Sequence, residues 1–219
     1  LTTLQRQYRP KDLDALIETD KQLRSLYVAM NRYITVPPNG ANKGTSAGIS
    51  NTHQRKILEL TAQIIELLES KYGRDDIKVL TERISLAGAY AQQGKIAQVD
   101  ETLDLVYSRI QNASPEKTEG TDRPDQSKIE LRILGPKLAK VAEVFLLSGN
   151  IAAAEKVTRK SIAISFNEDL NSIINADRIV KAYETAGDYA RAADFVSYRL
   201  QRKELGFGED SLEASQQRL

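Results

Sequence analysis

The chain lacks cysteine and tryptophan altogether, and its 219 residues include a single histidine, His53, and one methionine. Without cysteine there is no disulfide, no thiolate metal site and no cysteine nucleophile. Zinc sites draw on several histidine or cysteine ligands, so one histidine removes that class as well. An excess of one charge is also missing: 31 Lys and Arg stand against 30 Asp and Glu, a formal net charge of +1. No sequence-wide field therefore draws the chain to nucleic acid or to an anionic membrane surface. No apolar run approaches the roughly 18 residues that a membrane-inserted helix needs. The chain starts at Leu1 without a charged region leading into an apolar one, so it reads as an excised or processed segment whose compartment stays open.

What is present is helical spacing. From Leu13 the apolar positions run Leu16, Ile17, Leu23, Leu26, Tyr27, Met30, Tyr33 and Ile34, a stripe at steps of three and four. Asp12 suits the N-cap of this helix, and Pro37-Pro38 ends it. No segment alternates with period two, so the fold class is all-α. Two stretches break the pattern. Val36 to Asn51 is rich in Gly, Pro and small polar residues, and Asn112 to Ser127 is polar and charged with two prolines. Neither can bury enough apolar surface to offset the entropy of ordering, so both are expected as mobile loops. The organisation is then an N-terminal helix over 1–36, a loop over 37–52 and a helical array over 53–219.

One phrase recurs three times within that array. "LAGAYAQQGKIAQVDETL" carries Tyr90, Gly94 and Val99; "VAEVFLLSGNIAAAEKVT" carries Phe145, Gly149 and Ala154; "IVKAYETAGDYARAADFV" carries Tyr183, Gly187 and Ala192. Each has an aromatic four residues before the glycine and a small or β-branched residue five after it. A glycine can end a helix in the left-handed conformation that a Cβ penalises. The aromatic then packs between two paired helices, and the small residue lets the second approach the first. Packing alone accounts for all three residue types. Each unit is a helical hairpin that must stack on a neighbour to cover its apolar face.

These residues resemble the tetratricopeptide repeat, whose pattern is Leu-Gly-x-x-Tyr-x-x-x-Gly followed by Ala in the second helix. The resemblance covers Lys78 to Leu200. "ESKYGRDDIKV", from Glu69, and "KELGFGEDSLEA", from Lys203, look like the turn of the kinesin-light-chain-like subgroup. The resemblance implies a right-handed α-solenoid of hairpins. By it, 54–72 is the second helix of an early repeat, full repeats span 77–112, 128–167 and 169–205, and 210–219 starts another. Two departures stand out. The first two glycines lie further apart than the last two because of the Asn112–Ser127 insertion, and Gly135-Pro136 falls inside a first helix, where proline kinks.

Catalytic chemistry has little to stand on, and the chain reads as a non-enzyme without a cofactor. A Ser-His-Asp arrangement could use only His53, which sits in a polar "NTHQ" stretch and reads as solvated near a helix start. "GANKGTSAG" places Lys43 before Gly44, whereas a phosphate loop needs Gly-Lys-Ser/Thr, and no strand precedes it. Asp75-Asp76 and Glu209-Asp210 precede helices, where capping explains acidic residues.

The candidate site comes from the resemblance, which implies a concave face lined by first helices. By position that face takes Ile84, Gly88, Ala91 and Gln92 from the first repeat. The second supplies Ala139, Lys140, Glu143, Leu146 and Leu147, and the third Ile174, Asp177, Arg178, Lys181 and Glu184. Clamps for a C-terminal carboxylate carry a Lys and two Asn there; here the positions read Ile84, Gly88 and Lys140. The Asn pairs of the kinesin-light-chain-like groove are replaced by Ile84 and Ser85. The groove is more apolar than either, unless another helix, such as Leu13–Ile34 folding back, covers Leu146 and Leu147. The implied function is a scaffold binding a peptide or partner protein. The rival readings are an array that assembles with copies of itself, and a regulatory segment of a larger enzyme.

Overall fold

Helical spacing becomes helical structure across the described residues. The computed structural model describes residues 12–35, 43–112, 126–164 and 170–207, and among these every regular element is an α-helix. In chain order they are α1 (Leu13–Thr35), α2 (Lys43–Tyr72), α3 (Ile77–Gln92), α4 (Ile96–Asn112), α5 (Gln126–Leu147), α6 (Ile151–Ile164), α7 (Leu170–Thr185) and α8 (Tyr189–Phe207). The expected loop over 37–52 needs correction, because α2 already begins at Lys43. Its Gly and Ser residues are poor helix formers but do not forbid the conformation, and the long apolar second half of α2 propagates it backwards. Residues 36–42 and 113–125, the Glu209-Asp210 turn and the expected repeat start at 210–219 lie outside the described residues.

The chain divides into two compact units, Leu1–Leu103 and Asp104–Leu219. In the first, α1 packs on α2 and α2 on α3. Ile17, Ile64, Ile65, Leu68 and Val79 form its buried cluster, with Leu13, Leu67 and Leu86 at the margin. Around it, ion pairs join Arg24 to Glu82, Lys71 to Asp14 and Arg83 to Glu69. Asp76 caps α3, its carboxylate accepting the Lys78 amide at 2.8 Å. His53 is not solvated, as its polar neighbours suggested. It is 8% exposed and lies inside α2 with its ring centroid 5.4 Å from that of Tyr27. Asp20 is buried on α1, and burial pushes its carboxyl above the usual value while Lys56 pulls it back.

The second unit holds two helical hairpins, α5 with α6 and α7 with α8, and α7 packs against both helices of the first. The repeated phrase shows here what it does. Gly149 and Gly187 take φ of 77° and 74°, and Gly94 earlier in the chain takes 68°. After each glycine the next amide donates to the carbonyl of the aromatic: Lys95 to Tyr90 at 3.0 Å, Asn150 to Phe145 and Asp188 to Tyr183 at 2.9 Å. This satisfies a carbonyl that the helix end would otherwise leave open. The side chains of Asn150 and Asp188 then cap the next helix, accepting from Ala153 at 3.1 Å and Arg191 at 3.2 Å. Phe145, Tyr183, Ala154 and Ala192 are all buried, as packing between paired helices requires.

Polar side chains bind the hairpins to each other. The hydroxyl of Ser161 donates to the Gly135 carbonyl at 3.0 Å and lies 2.8 Å from that of Ser172. Asn175 donates to the Ala139 carbonyl at 2.7 Å. These bonds reach α5 on either side of Pro136, through which the helix continues. Glu155 on α6 is shared: it accepts from Tyr183 at 2.6 Å and from Arg159 at 2.7 Å. Arg159 also reaches Asp194 and lies over the rings of Phe195 and Tyr198 on α8.

Two outcomes follow. Gly187→Ala should cost about 1 kcal/mol from the left-handed backbone alone, since nothing lies within 4 Å of the added methyl. Urea titration checks this, and an unchanged midpoint would refute the role given to the turn. For Tyr183, burial first and the Glu155 bond second push the phenol from 10.0 up to about 12. Its stabilising contribution is thus present below about pH 10 and is lost as pH rises towards 12. Melting curves of the parent and Tyr183→Phe should converge over that interval; a constant gap would mean that the phenol is not held this way.

Candidate functional site

Contacts within the second unit fix how α5 and α7 present their side chains. Asn175 meets Ala139, and Arg178 reaches Glu143 at 3.6 Å. Both contacts advance in the same direction along the two helices, so α5 and α7 run parallel with their exposed faces side by side. Residues three and four apart share a helix face. Lys140, Glu143 and Leu147 therefore line one ridge, and Leu170, Ile174, Arg178 and Lys181 line the other. All of these are exposed.

Leu147 decides the character of this surface. It is 79% exposed, so none of the described helices covers it, whereas its neighbour Leu146 is half-buried. Leu170 and Ile174 are exposed on α7 as well. Apolar side chains thus stand at both ends of the face, with charge between them. The Arg178–Glu143 pair is half-exposed on both sides, and such surface pairs contribute only about 0–1 kcal/mol. Asp177 is engaged by Arg199 at 2.9 Å. Glu184 is exposed further along α7.

The first-unit candidates behave differently. Ile84 is 2% exposed, which removes it from any solvent-facing groove. It belongs to the buried stripe Leu80, Ile84, Ala87 and Ala91 along α3, a spacing that follows the helical repeat. Gly88 is half-buried, and Gln92 is exposed at the end of α3. Ala139 is buried under Asn175 rather than offered to solvent. The structure therefore brings together Lys140, Glu143, Leu147, Arg178 and Lys181, and withdraws Ile84, Ala91 and Ala139. Leu170 was missed, although an apolar residue one turn before Ile174 was visible in the sequence.

Among the described residues no three acidic, histidine or cysteine side chains converge as metal ligands, and no helix is long and apolar enough to cross a membrane. No protein-family model matches the chain, and no curated protein matches it at a significant level.

Proposed function

We propose that this chain is a non-catalytic interaction module of the tetratricopeptide kind, whose hairpins stack as a right-handed solenoid and hold a peptide or partner protein on the α5–α7 face. The exposure of Leu147, Leu170 and Ile174 beside Lys140, Arg178 and Lys181 carries this reading. Monomeric proteins scatter single apolar side chains over their surface, but apolar anchors flanking a charged strip on two registered helices suit a partner. The buried bonds from Asn175 and Ser161 keep the two helices in register, so little ordering is needed on binding. Affinity comes from a few apolar side chains seated against the leucines and isoleucine. The cations set orientation and speed association with an acidic segment.

A peptide display library panned against the chain tests this. Enriched peptides should carry an apolar side chain flanked by acidic residues. Leu147→Asp should abolish their binding with helicity intact, because the leucine is exposed. Lys181→Glu should weaken binding mainly at low salt, where exposed charges act furthest. Enriched peptides that bind both variants as well as the parent would place the binding surface elsewhere.

A further inference from the structure

Tyr72 closes α2, one residue before Gly73, whose φ of 86° turns the chain towards α3. Its ring is flanked by two ammonium groups. Lys78 Nζ lies 4.1 Å from the ring centroid and Lys71 Nζ 4.9 Å. The two lysines arrive from different helices, Lys71 from the last turn of α2 and Lys78 from the first turn of α3. Lys71 is paired with Asp14 on α1, and the backbone of Lys78 is fixed by the Asp76 cap. Tyr72 nevertheless remains 36% exposed, so a reagent can reach it.

Positive charge beside a phenol favours the phenolate, which is the nucleophilic form. Lys71 first and Lys78 second hold the Tyr72 phenol below the ordinary tyrosine value. Tyr183 has the opposite surroundings, with burial and a carboxylate that push it up. Tyr189 is the natural comparison: it is 68% exposed, and among the described residues no cation stands over its ring.

We propose that Tyr72 is a covalent-modification site that accepts a sulfonyl or phosphoryl group from an activated donor. The phenolic proton passes to water, and the oxygen forms a bond to sulfur or phosphorus. The bond to the leaving group breaks, and its electron pair departs with that group. A phosphoryl product would leave its negative charge between Lys71 and Lys78, where charge-assisted bonds can tie the end of α2 to the start of α3.

The test is labelling of the intact chain with an aryl sulfonyl fluoride at mildly alkaline pH, with sites and rates read by mass spectrometry. In this reaction the oxygen–sulfur bond forms and fluoride leaves. Tyr72 should be labelled several-fold faster than Tyr189 despite its smaller exposure. Lys78→Gln should bring the Tyr72 rate down towards that of Tyr189, and Lys78→Arg, which keeps the cation, should restore it. Faster labelling of Tyr189, labelling of the lysines with Tyr72 untouched, or a Tyr72 rate indifferent to Lys78→Gln would each overturn the proposal.

Discussion

A single backbone hydrogen bond, from the residue after a glycine to the carbonyl of the aromatic before it, organises the repeated phrase. It closes only if the glycine is left-handed, and that requirement excludes most side chains. Once it closes at Gly149 and Gly187, the chain reverses within two residues and the next helix starts from a side-chain cap on Asn150 or Asp188. The aromatic whose carbonyl is used is then held where its ring must pack, and Phe145 and Tyr183 are both buried. The close approach needs a small partner, which Ala154 and Ala192 supply. The polar bonds from Ser161, Asn175 and Glu155 connect hairpins that this turn has already shaped.

That constraint was legible because it repeats. Three glycines with the same neighbours at the same offsets declare a left-handed helix end without any knowledge of the fold. Other features had no such redundancy. His53 sits among Asn, Thr and Gln, and its burial against Tyr27 depends on α1 packing over α2, which local composition does not encode. The helical start at Lys43 was hidden for a related reason, since Gly and Ser weaken local propensity and the helix propagates into them from the apolar stretch that follows. Ile84 was misplaced because the rotation of α3 about its axis is set by what it packs against. Its stripe with Leu80, Ala87 and Ala91 is a helical repeat already present in the sequence, whereas position within a repeat does not say which face of the helix is covered. In the second unit charge keeps the side chains of Lys140, Arg178 and Lys181 outside, so their exposure was readable from residue type alone.

The same side chain serves opposite purposes in the two units. Tyr183 is buried, and its hydroxyl donates to a carboxylate, so its chemistry is suppressed and it acts as a tie. Tyr72 is half-exposed between two ammonium groups, so its acidity is raised and its surface role opens. The α5–α7 face draws on a similar division of labour. Its buried side supplies register through Asn175 and Ser161, and its exposed side offers Leu147, Leu170 and cations that stand open to solvent.

Amide hydrogen exchange reads the organising bond directly. The amides of Asn150 and Asp188 should exchange as slowly as those in the middle of α5 and α7, because opening either bond dismantles a hairpin and requires unfolding of the second unit. Exchange of these two amides at the rate of an unprotected chain, with the helix interiors still protected, would contradict the account.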